Sequence, residues 1–281
     1  MTHTLTTDIY RAIKCRGFYI ACALTVICLL VGASGEIVSL LQYGVGEGLY
    51  AGFHAQLLLG ALSSSVMTLA LPIICALPYT TSMLEDEKSG YVKPYILRTS
   101  RAQYIRAKII ATALSGGLSV FVGIMLCYLL FALVFAPLEL APLSAEEMMG
   151  DDSAGVQALE VSASFGSAPS FGQPSMFMEI LGKSITLFLF GALWSLVGLT
   201  LATSTGSRYM AYASPFIIYY VLIILAERYF TGFALLNPKE WIYPTRIWPG
   251  GSWGICLLMG ELVVLMSLSC TLICKKRLGS E

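Results

Sequence analysis

Residues 84–108 read LEDEKSGYVKPYILRTSRAQYIRAK, a long charged segment between two very apolar stretches. Three consecutive acids are followed by Ser89-Gly90, which is typical of a helix end because Gly90 can take the left-handed cap conformation. Thr99 or Ser100 is a natural N-cap for a second helix. The segment therefore predicts a structured helical connector, larger than a turn requires, between two membrane helices.

The composition indicates a membrane protein. Hydrophobic residues make up 57% of the chain and charged residues 12%, with a mean hydropathy of +0.76. Soluble domains contain about 25% charged residues. The basic residues lie beside apolar runs and not on a soluble basic face, so nucleic acid is not an expected partner.

Six apolar stretches predict an all-α membrane protein, with a single transmembrane domain over residues 1–281. The small residues Gly116 and Gly117 predict a close helix approach, and Pro72 and Pro78 predict bends in the second span. The expected spans are about Phe18–Leu41, Ala55–Met83, Ile109–Phe135, Phe177–Ala202, Ala211–Ala226 and Trp253–Cys274.

Three further segments complete the predicted organisation. Residues 1–17 form a short amphipathic helix suited to the membrane surface. Residues 137–176 contain acids but no Lys or Arg, and are expected to be an acidic extracellular loop. Residues 229–252 are rich in aromatic residues and broken at Asn237-Pro238, which predicts a re-entrant or interfacial helical pair between spans five and six.

The distribution of basic residues predicts the orientation. With both termini in the cytoplasm, 13 of the 17 Lys and Arg residues lie on the cytoplasmic side. The other four, Lys183, Arg228, Lys239 and Arg246, lie outside together with the acids of residues 137–176.

Motifs for catalysis or nucleotide binding are missing from the sequence. It has no His-Glu-x-x-His and no Gly-x-Ser-x-Gly, and Phe177 occupies the place of the first glycine that a phosphate loop ending in Gly182-Lys183-Ser184 needs. We therefore expect no enzyme activity and no cofactor in this chain. The eight cysteines form no Cys-x-x-Cys pair and the chain has two histidines, so free thiols and no metal site are expected.

Glu261 is an acid deep within a predicted span. Because a charge there is costly, two interpretations remain open. Glu261 contributes to a transport path, as a proton relay or a substrate contact, or it is a neutral, hydrogen-bonded contact between helices.

The charged connector shows a pattern of known type. Glu85-x-Glu87-x-x-Gly90-Tyr91, then Leu97-Arg98, then Arg101-x-x-Tyr104-x-x-x-Lys108 resembles the permease subunits of ABC-type exporters of the second export class. In that family this loop contains the coupling helix, an amphipathic helix precedes span one, and a re-entrant pair separates spans five and six. The resemblance covers nearly the whole chain, although residues 137–176 exceed the family's usual short connector.

The resemblance implies a function and partners. The chain would be a permease in the bacterial cytoplasmic (inner) membrane, paired with a second copy or a related permease and with two ABC ATPase subunits that bind ATP and magnesium. The cargo would be an amphipathic peptide or a hydrophobic compound. Expected ATPase contacts are Glu85, Asp86, Glu87, Lys88, Ser89, Gly90 and Tyr91. Expected membrane-surface anchors are Arg11, Lys14, Arg16, Arg98, Arg101 and Lys108.

Three other classes of function remain open at this point. A proton-coupled secondary transporter would use Glu261 as its titrating group and would need no ATPase. A membrane immunity or sensor protein would transport nothing. An intramembrane enzyme would need a catalytic pair at depth, and only Glu261 offers itself.

Overall fold

A computed structural model describes residues 2–43, 52–92, 94, 100–135, 175–230, 233–243 and 251–279. Of these residues 88% are helical and none forms a β-strand, which confirms the all-α prediction. The helices are α1 (Thr2–Lys14), α2 (Arg16–Tyr43), α3 (Phe53–Leu62), α4 (Ser65–Ala76), α5 (Ser82–Lys88), α6 (Arg101–Phe135), α7 (Ser175–Thr205), α8 (Arg208–Tyr229) and α9 (Gly251–Gly279).

Five of these helices are long and apolar enough to cross a bilayer, so the chain is a multi-pass membrane protein. The candidate spans are Arg16–Leu40, Arg101–Phe135, Phe177–Thr205, Arg208–Tyr229 and Gly254–Arg277. Helices α3 and α4 pass the same test only together and would make a sixth span as one bent pair. The sixth span and the orientation of the termini stay predictions.

The second apolar stretch is broken at Ser63-Ser64, which was not predicted, and its second helix ends at Ala76, just before the predicted bend at Pro78. The axes of α3 and α4 differ by 69° across Ser63-Ser64, whereas Pro72 lies inside α4. The Ser64 hydroxyl accepts a hydrogen bond from the Met67 amide and caps α4, so a side chain satisfies the backbone that the break exposes. Helix α2 packs closely against this break at Gly32, where an added Cβ would lie 2.6 Å from Ser64 Oγ.

Helix α7 occupies the centre of the bundle. It packs against α4, α6, α8 and α9, and 78% of its most apolar window is buried, compared with 17% for α9. The α6–α7 contact is close because a Cβ at Gly116 would lie 2.5 Å from Ser195 Cβ. A Cβ at Gly117 would lie 2.6 Å from the Phe188 carbonyl oxygen. The prediction of a close approach at these two glycines is confirmed.

The connector begins and ends as its caps predict. Helix α5 ends at Lys88, Gly90 has φ +71°, and the Gly90 and Tyr91 amides donate back to the Glu87 and Asp86 carbonyls in the pattern of a Schellman cap. Ser100 Oγ accepts from the Gln103 amide at the start of α6. Residues 93 and 95–99, between these caps, lie outside the described residues.

Two predicted segments are described only in part. Within 229–252, the described residues after α8 form a 3-10 turn (Ala234–Leu236) followed by turns to Ile242, while residues 231–232 and 244–250 lie outside the description, so the predicted helical pair stays a prediction. Residues 136–174, which include nearly all of the predicted acidic loop, also lie outside the described residues.

Candidate functional site

A buried group of charged and phenolic side chains lies at the end of the bundle that contains α5. We call it the charge cluster. Helix α1 contributes two of its residues, α5 one, α6 two and the 77–81 segment one. The members are Asp8, Arg11, Tyr79, Asp86, Tyr104 and Lys108.

Lys108 lies at the centre of the charge cluster. Its side chain is 1% exposed, and its Nζ lies 2.7 Å from Asp86 Oδ2 and 3.3 Å from Asp8 Oδ1. The same ammonium donates to the Tyr79 hydroxyl at 2.9 Å. One cation from α6 thus joins acids from α1 and α5, whose positions differ by 78 residues in the chain.

The phenols and Arg11 complete the network. Tyr79 donates to Asp8 Oδ1 at 3.2 Å, and Tyr104 donates to Asp86 Oδ2 at 3.2 Å. Arg11 donates to Asp86 Oδ1 at 3.4 Å. Burial raises the pKa of Tyr79 above its ordinary value, against the opposing effect of the Lys108 ammonium, so the phenol keeps its proton at neutral pH.

The charge balance explains how these groups tolerate burial. Two cations face two carboxylates, so the charge cluster is neutral overall, and most of its polar atoms have a partner. The exception is Asp8 Oδ2, which is buried without a hydrogen bond. An unpaired buried charge is far more costly than a paired one. Removal of one charged member would therefore leave its buried partner uncompensated and destabilise the fold.

A second ion pair joins α5 to the last helix. Arg277 Nη2 lies 3.0 Å from Glu87 Oε1 and 2.9 Å from Glu87 Oε2, and its Nε lies 3.3 Å from Glu87 Oε1. Both side chains are 26% exposed. Arg277 also donates to the Thr203 carbonyl near the end of α7. Neighbouring acids of α5 are therefore bound to different helices: Asp86 to α1 and α6, and Glu87 to α9.

The predicted ATPase contacts separate into two groups. Asp86 is buried and cannot offer its carboxylate to a partner subunit, and Glu87 is half-buried against Arg277. The sequence alone did not indicate this, because it groups the three acids together. Exposed members of the predicted set are Glu85, Lys88, Ser89, Gly90 and Tyr91.

The predicted membrane anchors also separate. Lys14, Arg16 and Arg101 are exposed, and Arg98 lies outside the described residues. Arg11 is half-exposed, and its guanidinium forms an ion pair with Asp86. The assignment of Lys108 as a surface anchor is wrong, because two carboxylates hold its ammonium inside the protein where it cannot contact lipid headgroups.

Four residues of these networks received no predicted role from the sequence: Asp8, Tyr79, Arg277 and Tyr104, which entered only as part of the connector motif. Asp8 and Arg277 lie far in the chain from their partners. Asp8 accepts from Tyr79 and pairs with Lys108, whereas Arg277 pairs with Glu87, and all of these contacts depend on tertiary packing. One local signal was present. Tyr104 and Lys108 are spaced i, i+4 on a single helix, so they share a face.

Glu261 lies on an exposed face of α9 and not in the bundle interior. Large exposed apolar residues recur along the same helix at Leu257, Val264, Leu265, Leu268 and Leu272. A Cβ at the adjacent Gly260 would meet nothing within 4 Å. Within the described part of the chain, Glu261 therefore faces outward from the bundle, toward lipid or a neighbouring protein.

Comparison of the chain with protein-family models, curated proteins and solved structures finds no match in any of the three. The resemblance described above therefore depends on the connector motif and the order of the predicted segments.

Proposed function

We propose that this chain is the permease subunit of an ATP-driven exporter of the second ABC export class. Two copies, or one copy and a related permease, pair in the bacterial cytoplasmic membrane. Two separate ATPase subunits hydrolyse ATP with magnesium and bind on the side of α5. The cargo, an amphipathic peptide or a hydrophobic compound, moves outward.

The observation that carries this proposal is the pair of ion-pair links on α5. Asp86 is bound to Lys108 on α6, and Glu87 is bound to Arg277 on α9. A displacement of α5 would therefore move α6 and α9 together. It would also move the end of α7, because Arg277 donates to the Thr203 carbonyl there. A short helix with rigid links to several spans suits the transmission of force from a partner.

The length of α6 supports the same mechanism. Its 35 residues make a helix of about 50 Å at about 1.5 Å per residue, which exceeds a hydrocarbon core of about 30 Å. The first turns of α6, including Tyr104 and Lys108, extend toward α5 without a break. In this proposal α6 acts as a stiff lever, and the charge cluster is its attachment to the connector.

We assign the ATPase contact to the exposed turn Lys88–Tyr91. Lys88, Ser89 and Gly90 are exposed, and the Tyr91 side chain is 43% exposed. The left-handed Gly90 holds this turn in one conformation at the end of α5. A partner that binds the turn pushes directly along a helix whose acids are fixed to the spans.

The exposed face of α9 supports a second permease copy. A charged carboxylate at the bilayer centre costs about 2.5–3.5 kcal/mol on insertion scales. A second copy that covers Glu261 removes this group from lipid, and its protonated form can pair with the same residue across a two-fold axis. Glu261 would then line the path between the two permeases.

The test is to co-express the chain with a candidate ABC ATPase subunit, sought among the reading frames that flank its gene. We would replace Lys88 with Glu and Tyr91 with Ala, measuring co-purified ATPase and its rate of ATP hydrolysis. The matched control is Lys276→Glu, which reverses an exposed charge on α9. We do not alter Glu87, because its loss would also release Arg277.

We expect both variants to lose ATPase association and stimulated hydrolysis while the control retains them. Unchanged association and hydrolysis in the Lys88 and Tyr91 variants would contradict the proposed contact. Transport that continues in the absence of any ATPase subunit would instead favour a proton-coupled transporter.

A further inference from the structure

A groove of about 450 Å³ lies beside the charge cluster, between α1, the segment that leads into α5, and α8. Its size lies in the range of small-ligand pockets, roughly 300–1,000 Å³. Its walls include the basic residues Arg11 and Lys14 and the acid Glu85, and its apolar lining includes Leu77 and Pro78. The groove thus presents charges of both signs next to an apolar surface.

The basic side of the groove combines Arg11, a member of the charge cluster, with Lys14, which lies outside the cluster. Lys14 is exposed, and its Nζ lies 3.2 Å from the Tyr10 hydroxyl of the same helix. The Arg11 side chain is 46% exposed. Burial acts to lower the pKa of Arg11, but Tyr79, Asp86 and Asp8 raise it above its ordinary value. Lys14 and the exposed part of the Arg11 guanidinium can therefore contact a phosphate in the groove.

The acidic wall is held in place by a neighbour. Glu85 Oε1 accepts a hydrogen bond from Thr81 Oγ1 at 2.9 Å, which fixes the carboxylate at the first turn of α5. A carboxylate in the same groove as two basic residues disfavours a simple anion. It suits a ligand with both a phosphate and an ammonium group.

The position of the groove indicates a membrane ligand. The span of α2 begins at Arg16, and at Gly17 that helix touches the apolar lining, because a Cβ there would lie 2.5 Å from the Leu77 carbonyl oxygen. Tyr10, also in the lining, is 63% exposed, and Tyr favours the interface between membrane and water. The groove therefore lies at the level where lipid headgroups meet the start of the span.

We propose that this groove binds the phosphoethanolamine headgroup of a zwitterionic aminophospholipid. Its phosphate contacts Arg11 and Lys14, and its ammonium donates to Glu85. The acyl chains leave past Leu77 and Pro78. The bound lipid fixes α1 against the segment that leads into α5. This inference does not depend on the transport function, because it needs neither an ATPase nor a cargo.

The test measures lipid binding to the full-length protein in detergent, by native mass spectrometry and by the thermal unfolding midpoint. The probes are phosphatidylethanolamine, phosphatidylcholine, phosphatidylglycerol and soluble phosphoethanolamine. Phosphatidylcholine keeps the positive charge but has no N–H donor, and phosphatidylglycerol keeps the phosphate but has no cation. The variants are Lys14→Gln and Glu85→Gln, which lie outside the charge cluster. Lys276→Gln is the matched control.

We expect phosphatidylethanolamine to bind about tenfold more tightly than phosphatidylcholine, from the loss of one charge-assisted hydrogen bond. Lys14→Gln weakens binding of both lipids, Glu85→Gln removes the preference between them, and the control changes neither. Equal binding of all three lipids, a preference for phosphatidylglycerol, or a preference that survives Glu85→Gln would overturn the proposal. Soluble phosphoethanolamine that stabilises the protein as strongly as the lipid would overturn the assignment to a membrane ligand.

Discussion

Replacing Lys108 with Met tests the charge cluster most severely. The substitution keeps an unbranched side chain of similar shape but removes the ammonium between Asp8 and Asp86. At 2.7 and 3.3 Å, the two attractions are about 6 and 5 kcal/mol with an effective dielectric constant of about 20. Much of this is offset by the several kcal/mol of desolvation that the buried ammonium no longer undergoes.

The expected net loss is about 3–5 kcal/mol, since removal of one partner leaves a buried charge uncompensated. Asp86 keeps Arg11 and Tyr104 as partners, so most of the loss falls on Asp8, whose Oδ2 already has no hydrogen bond. The assay is thermal unfolding of the purified protein in detergent. A loss of this size lowers the midpoint by roughly 10 °C, taking about 2–4 °C per kcal/mol.

Two companion variants test whether the loss of stability comes from the uncompensated charge of Asp8. Asp8→Asn combined with Lys108→Met restores a neutral charge cluster and should recover at least half of the lost midpoint. The control Lys276→Met removes an exposed ammonium and should change stability by no more than about 0.5 kcal/mol. If Lys108→Met behaves like the control, or if Asp8→Asn gives no recovery, the charge cluster does not stabilise the protein as described.

Three further predictions use the same unfolding assay. Arg277→Gln breaks the two-pronged contact with Glu87 and should cost about 1–2 kcal/mol; a loss below about 0.3 kcal/mol would contradict the link between α5 and α9. Gly116→Ala places a methyl group 2.5 Å from Ser195 Cβ and should lower the free energy of unfolding by about 1–3 kcal/mol. The control Gly182→Ala, whose Cβ meets nothing within 4 Å, should be neutral or stabilising. Equal effects of the two substitutions would refute the close α6–α7 packing. Gly90→Ala forces a side chain into a left-handed conformation and should cost about 1–2 kcal/mol, and an unchanged midpoint would mean that the turn after α5 adopts another conformation.

Local features of the fold could be predicted from the sequence because their causes are local. The length of the apolar stretches predicts the five long helices. Gly90 predicts the end of α5, and the Ser100 hydroxyl predicts the start of α6. The break at Ser63-Ser64 was not predicted, since no proline lies there and the packing of α2 against it at Gly32 cannot be read from the sequence. The central position of α7 was also not predicted, because a helix that is apolar all round gives no indication of how many neighbours it has.

The candidate site was harder to predict, for an electrostatic reason. Positive-inside counting treats every basic residue near a span end alike, so it placed Lys108 at the lipid surface together with Arg101. The distinction depends on where the carboxylates lie, and Asp8 is 100 residues away in the chain. The sequence indicated that the connector is unusual, but it could not show which acids face inward.

In the proposed exporter, ATP hydrolysis in a partner subunit would move the exposed turn after α5. The decisive measurement is the distance between the two copies of that turn in the assembled complex. Ser89 is exposed and can be replaced by a ketone-bearing amino acid that accepts a nitroxide, which leaves the cysteines untouched. Pulsed electron paramagnetic resonance then compares the nucleotide-free complex with the complex trapped with ATP and vanadate. We expect a shorter distance in the trapped state, and an identical distance distribution in both states would refute the proposed movement of α5.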